Sequence, residues 1–115
     1  MIKLYSNRHQ TFEVQILDAS NKPVNLTGCT VYFTAKSKET DTTPFIFKSS
    51  LNENQIKIIN AEKGLLEIYI VPSDTASLKR QSSYYFDITV KTADNKVYTV
   101  YKDILVIELS VSNIS

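Results

Sequence analysis

The clearest alternation of apolar and polar residues in the chain is the sequence YYFDITV at residues 84–90. Apolar side chains recur at every second position, at Tyr84, Phe86, Ile88 and Val90. The positions between them hold the more polar residues Tyr85, Asp87, Thr89 and Lys91. Because successive side chains of a strand point to opposite faces, this period of two predicts a β-strand with one face in the core.

The same period of two extends through most of the chain. It predicts inward-facing sets at Phe12, Val14 and Ile16, at Val31, Phe33 and Ala35, and at Leu66, Ile68 and Ile70. Further strands are predicted at residues 45–47, 56–59 and 97–109. A bulge is expected in the last of these, because Lys102 and Asp103 interrupt its alternation.

Turn residues separate the predicted strands. Pro23 ends strand pairing after the first one, and Gly64 is the residue best suited to a positive φ before the strand at 66–71. Residues 72–78 predict the one short helical turn. We expect Ser73 or Asp74 to cap it and Leu78 to hold it against the core.

Seven or eight short strands, about 8–12 residues apart, are typical of an all-β sandwich or barrel. No helix is long enough for a β-α-β crossover. A sandwich is favoured because glycines that ease the corners of a barrel are scarce, with only Gly28 and Gly64 present. We therefore predict one domain over residues 1–115, with an N-terminal arm at 1–10 and a polar C-terminal tail at 110–115.

Composition argues against several classes of partner. Thirteen basic and twelve acidic residues leave a net charge of +1, whereas nucleic-acid-binding domains usually carry a basic excess or stripe. No apolar stretch approaches the length of a membrane span, and the N-terminus lacks the apolar segment of a secretory signal. We expect a chain made in the cytosol that binds neither nucleic acid nor membrane.

The residues that catalysis or metal binding needs are few. His9 is the only histidine and Cys29 the only cysteine, so neither a zinc site nor a nucleophile with an oriented base is indicated. Cys29 lies in an alternating run and is interpreted as a small buried residue. The strand carboxylates face away from the apolar set, and no glycine-rich phosphate loop exists. We predict no enzyme activity, no cofactor and no metal.

Three tyrosines are candidates for an interaction surface. Tyr32, Tyr69 and Tyr85 take the outward positions of their strands. Outward tyrosines make cross-strand pairs, stack on sugars or anchor a protein partner. Leu17, Val71 and Leu105 also fall on nominally exposed positions, which favours a second face that another subunit covers. A carbohydrate-binding or adhesion module is the alternative.

Several stretches resemble a known phage family. They are TFEVQILD at 11–18, KPVNLTGCTVYF at 22–33, GLLEI at 64–68, residues 74–78 and the YYFDITV strand. Together they resemble the N-terminal domain of phage baseplate upper proteins over residues 11–109. That family often has glycine before the tyrosine strand, where this chain has Ser82 or Ser83, and early in the last strand, where it has Lys102 and Asp103.

The resemblance implies an immunoglobulin-like antiparallel β-sandwich and a role in a bacteriophage particle. The expected protein is a virion structural component, an attachment or decoration module of the tail, baseplate or capsid. Its expected partners are other virion proteins, which it contacts as a symmetric oligomer or by repeated docking. In the corner at residues 26–28, Leu26 would close the end of the sandwich and Gly28 would permit the bend.

Overall fold

The computed structural model describes residues 2–40, 42–76 and 81–108, with the backbone alone at 81–83. The described residues form eight strands and one short helix. They are β1 (Ile2–Tyr5), β2 (Gln10–Gln15), β3 (Thr30–Lys36), β4 (Ile46–Ser49), β5 (Ile56–Asn60), β6 (Leu65–Ile70), α1 (Pro72–Thr75), β7 (Gln81–Lys91) and β8 (Val97–Glu108). The prediction of an all-β chain with one helical turn is confirmed.

The strands form two sheets. A five-stranded sheet has the order β1-β8-β7-β3-β4, and a three-stranded sheet has the order β2-β6-β5. All pairs are antiparallel except β1 with β8, which is parallel. Residues 2–5, predicted as part of an N-terminal arm, are therefore a strand whose Leu4 is fully buried. The predicted tail at 110–115 lies outside the described residues.

The core lies between the inner faces of the two sheets. The inward sets predicted on β3, β6 and β7 are all buried, and Ile16 is buried just beyond β2, whereas Phe12 and Val14 are half-buried. The Phe33 and Phe86 rings meet at 5.4 Å across β3 and β7. Cys29, predicted to be buried, is only half-buried because it precedes β3 at the margin of the core.

The helical turn α1 joins the two sheets through side chains. Asp74, one of the two residues expected to be the N-cap, is instead the third residue of the helix. Its Oδ2 accepts the Val71 N–H at 2.9 Å. The same Oδ2 lies 2.7 Å from Lys48 Nζ on the edge strand β4. Thr75, fully buried, accepts the Asn7 N–H through Oγ1 at 2.9 Å. Leu78 lies outside the described residues.

The bulge in β8 lies earlier than predicted. Ile88 pairs with Tyr101 and Thr89 with Thr99, so Val100 is the extra residue, whereas Lys102 and Asp103 pair regularly with β7. After the bulge, the inward and outward positions are therefore the reverse of those expected. Leu105, predicted at an exposed position, is fully buried, and Ile104 is exposed. The inward Asp103 is tolerated because β1 begins only opposite Leu105, which leaves the carboxylate partly in solvent.

Candidate protein-interaction surface

The outer face of the five-stranded sheet carries a group of large apolar side chains. We call this group the aromatic face: Tyr5, Tyr32, Phe47, Tyr85, Ile104 and Val106. Strand alternation places them there, since their neighbours along each strand point into the core. Phe47 is 54% exposed, Tyr5 49% and Ile104 40%, which is unusual for residues of this size.

The apolar side chains lie at two sides of the sheet. On β3 and β4 the Tyr32 and Phe47 rings stack with centroids 5.7 Å apart. On β7 and β8 Tyr85 lies directly opposite Ile104, and Val106 follows beside Lys3 of β1. The face therefore presents two apolar areas on neighbouring pairs of strands, β3 with β4 and β7 with β8, and each is built on strands that packing against the core holds rigid.

Charged groups separate the two apolar areas. Asp87 lies opposite Lys102 on β8, and Lys102 Nζ is 3.0 Å from Glu39 Oε2 in an exposed ion pair. These residues line a shallow depression of about 100 Å³ together with Thr34 and Lys36. A surface with apolar anchors and interspersed charges resembles the composition of protein interfaces more than that of a small-molecule pocket.

The outer face of the three-stranded sheet has the opposite character. Its outward residues are mainly polar or charged: Thr11, Glu13, Gln15, Lys57, Glu67 and Tyr69. Tyr69 donates its hydroxyl to Glu67 Oε1 at 3.1 Å. Burial, followed by the bond to Glu67 and the negative charge there, raises the pKa of Tyr69 above 10.0. This face is a solvated surface, and we call it the polar face.

The three tyrosines predicted for an interaction surface do not share a face. Tyr32 and Tyr85 lie on the aromatic face, on the adjacent strands β3 and β7, whereas Tyr69 lies on the polar face. The outward residues Phe47, Ile104 and Tyr5 were not among those predicted for this surface. The orientation of Phe47 follows from the inward Lys48, and that of Ile104 from the bulge at Val100. For Tyr5, the alternation of apolar and polar residues at 2–5 could have predicted a strand with Tyr5 on its outward face.

Residues with potential catalytic or metal chemistry are dispersed. Among the described residues, no three His, Cys, Asp or Glu side chains come together to hold a metal ion. His9 is exposed between β1 and β2, and Cys29 Sγ lies 3.9 Å from the Thr27 carbonyl. The same ranges contain no helix with the length and apolar character needed to cross a membrane.

The chain matches no protein-family model and no curated protein.

Proposed function

We propose that this chain is a bacteriophage virion structural protein, an attachment or decoration module that acts through protein–protein contacts. Its resemblance over residues 11–109 to the N-terminal domain of phage baseplate upper proteins supports the setting. The aromatic face supports the mode of action. In this proposal the protein has no catalytic task, and its partners are other virion proteins of the tail, baseplate or capsid.

The finer fold in this proposal is an immunoglobulin-like sandwich. If β2 to β8 are labelled B, C, C′, D, E, F and G in chain order, the sheets have the orders G-F-C-C′ and B-E-D. Among the described residues these sets resemble those of variable-type immunoglobulin domains, with no strand in the A position beside B and none in the C″ position beside C′. The short β1, parallel to β8, then extends the G-F-C-C′ sheet at its G edge.

The observation that carries the proposed mode of action is the contrast between the two outer faces. A solvated sheet carries polar residues outward, as the polar face does, but the aromatic face leaves Phe47, Tyr5 and Ile104 about half exposed. Apolar patches with polar surroundings mark interaction sites. Tyrosine and phenylalanine on rigid strands supply large contact areas with little loss of side-chain entropy.

The proposal includes repeated copies. Virion shells and tails are symmetric, so one docking face on each copy generates a ring or lattice of identical contacts. We propose that the aromatic face docks on a neighbouring virion protein at each equivalent position and that the polar face remains toward solvent.

The experiment is incorporation into particles. Wild-type protein should be found by mass spectrometry in purified particles of its phage at a fixed stoichiometry. The double variant Phe47→Lys/Ile104→Lys should fold, because both side chains are exposed, and should be absent from particles. The matched control Leu51→Lys/Ile59→Lys, at two exposed apolar residues outside the aromatic face, should be incorporated like wild type.

Two outcomes would contradict the proposal. One is particles that contain no wild-type protein. The other is full incorporation of the aromatic-face variant. Glycan-array binding that Tyr32→Ala abolishes, in a protein missing from particles, would instead identify a carbohydrate-binding module.

A further inference from the structure

The edge strands of the two sheets differ in how they are protected against pairing with another strand. On β4, Lys48 points inward and is buried at 6% exposure, so an added strand would have to cover its charge. On β5, the register shifts between Ile58 and Asn60, which distorts the edge. Inward charges and bulges are the known means of blocking edge-to-edge association.

The other edge of the five-stranded sheet is protected as well. β1 is only four residues long and carries an exposed Lys3. Where β8 extends past β1, it contains the Val100 bulge, and Asp103 Oδ1 accepts the Ile104 N–H at 2.7 Å. These features leave little regular backbone for a new strand to pair with.

Strand β2 lacks the inward charge, the bulge and the short length that protect the other edges. It is six residues long, pairs with β6 in unbroken register and contains no proline, lysine or bulge. Among the described residues β6 is its only neighbouring strand, so one edge of its backbone faces away from the sheet. An unprotected, regular edge is a template for strand addition.

An apolar cleft lies beside this open edge, between β2 and β8. Its volume is about 410 Å³. Glu13 and Gln15 line its polar part, and its apolar lining includes Ile2, Val14, Leu17, Ile88, Val100 and Tyr101. Leu17 is 41% and Tyr101 47% exposed. A strand added to β2 would direct every second side chain into this cleft.

The outward side chains of β2, β6 and β5 favour a basic residue on a strand added beside β2. Glu13 on β2 lies opposite Glu67 on β6, and Glu67 lies opposite Lys57 on β5. Like charges directly opposite are unfavourable, and this row has two acids next to one base. A basic residue on the far side of Glu13 would complete a row of alternating sign.

We infer that the open edge of β2 is a strand-acceptor site. Its occupant is an extended segment of a partner protein that adds a strand to the three-stranded sheet, with aliphatic residues filling the cleft and a lysine or arginine next to Glu13. This site is separate from the aromatic face and does not depend on the proposed virion role.

The probe is a synthetic seven-residue peptide with blocked ends, in which valine alternates with threonine and with one central lysine. We expect amide NMR shifts of residues 10–17 and of β8 around Val100. A peptide methylated on every amide nitrogen should produce none, since it cannot form the backbone bonds. Leu17→Asp should weaken binding, whereas Leu51→Asp, an exposed change outside the cleft, should not.

Charge reversal tests the register. Glu13→Lys should lower the affinity for the lysine peptide about fivefold, the size of one cross-strand charge pair, and should raise the affinity for a glutamate peptide by a similar factor. The inference is overturned by any of three results: no shifts at about millimolar peptide, equal shifts with the methylated peptide, or shifts confined to the edges of β4 or β5.

Discussion

Gly64 combines a left-handed backbone conformation with a crowded position at the corner before β6. Its φ is +65°, and a Cβ there would lie 2.7 Å from Ile16 O and 2.8 Å from Val24 O. The same corner holds the end of β2, because Ile16 N–H donates to Gly64 O at 2.9 Å. The sequence predicted the positive φ, but the crowding depends on two segments far away in the chain.

We expect Gly64→Ala to lower the free energy of unfolding by about 2–4 kcal/mol, of which the left-handed backbone accounts for about 1–2 kcal/mol. Gly28→Ala is the matched control, since φ is +75° but the nearest atom, Ala93 Cβ, would be at an ordinary 3.6 Å. Its loss should be only the backbone part. Urea denaturation measures both, and equal losses would show that the contacts with Ile16 and Val24 are unimportant.

At the scale of elements, α1 is held by an ion pair that the sequence did not predict. Lysine on a strand is normally an outward residue, so the pattern around Lys48 indicated no inward position. Lys48 is buried because Asp74, brought close by the crossover from β6 to β7, lies 2.7 Å from it at 16% side-chain exposure. A contact of this kind joins two elements and leaves no periodic signal in either.

We expect Asp74→Asn to lower the free energy of unfolding by about 2–4 kcal/mol, because it leaves the Lys48 charge buried without its partner. The double variant Lys48→Met/Asp74→Asn should recover most of this loss. Lys102→Met breaks the exposed pair with Glu39 and should change stability by less than about 1 kcal/mol. A double-mutant cycle from urea denaturation gives the coupling energy, and additive effects would exclude the pair as the tie between β4 and α1.

The position of the bulge in β8 is a second feature that the sequence did not predict correctly. The alternation of β7 was unbroken, and every inward residue predicted there from Tyr84 to Val90 is buried. In β8 the charges of Lys102 and Asp103 suggested the bulge, but the extra residue is the apolar Val100. A bulge is set by how two strands fit against the opposite sheet, and the sequence of one strand does not contain that information.

At the scale of the whole molecule, sheet topology decides which side chains act together. Sequence alternation assigned Tyr32, Tyr69 and Tyr85 to outward positions, and each is outward. It could not say that β6 belongs to a different sheet from β3 and β7, so it grouped residues from opposite faces. The contrast between the aromatic face and the polar face exists only once the strand order is known.

Three tyrosines, Tyr69, Tyr84 and Tyr101, make the stability of the folded state depend on pH in the alkaline range. Burial raises the pKa of Tyr84 above 10.0. The hydrogen bond to Asp103, followed by burial, raises the pKa of Tyr101. Burial, followed by the hydrogen bond to Glu67, raises the pKa of Tyr69. A pKa above the unfolded value means that the folded state holds these protons more tightly. Their stabilising contribution is therefore complete below the unfolded pKa of about 10 and is lost as the pH rises through the folded values.

We expect the free energy of unfolding to hold steady from neutral pH and to fall above about pH 10, with a shallower fall for Tyr69→Phe/Tyr101→Phe, which removes two of the titrating groups. Tyrosinate absorbance should show a fraction of the seven tyrosines ionising late in the native protein and together in urea. The two substitutions remove hydroxyls on different sheets, so the changes that each makes alone in the dependence of unfolding free energy on pH should add. A native titration with no late fraction would contradict the assigned environments of Tyr69, Tyr84 and Tyr101.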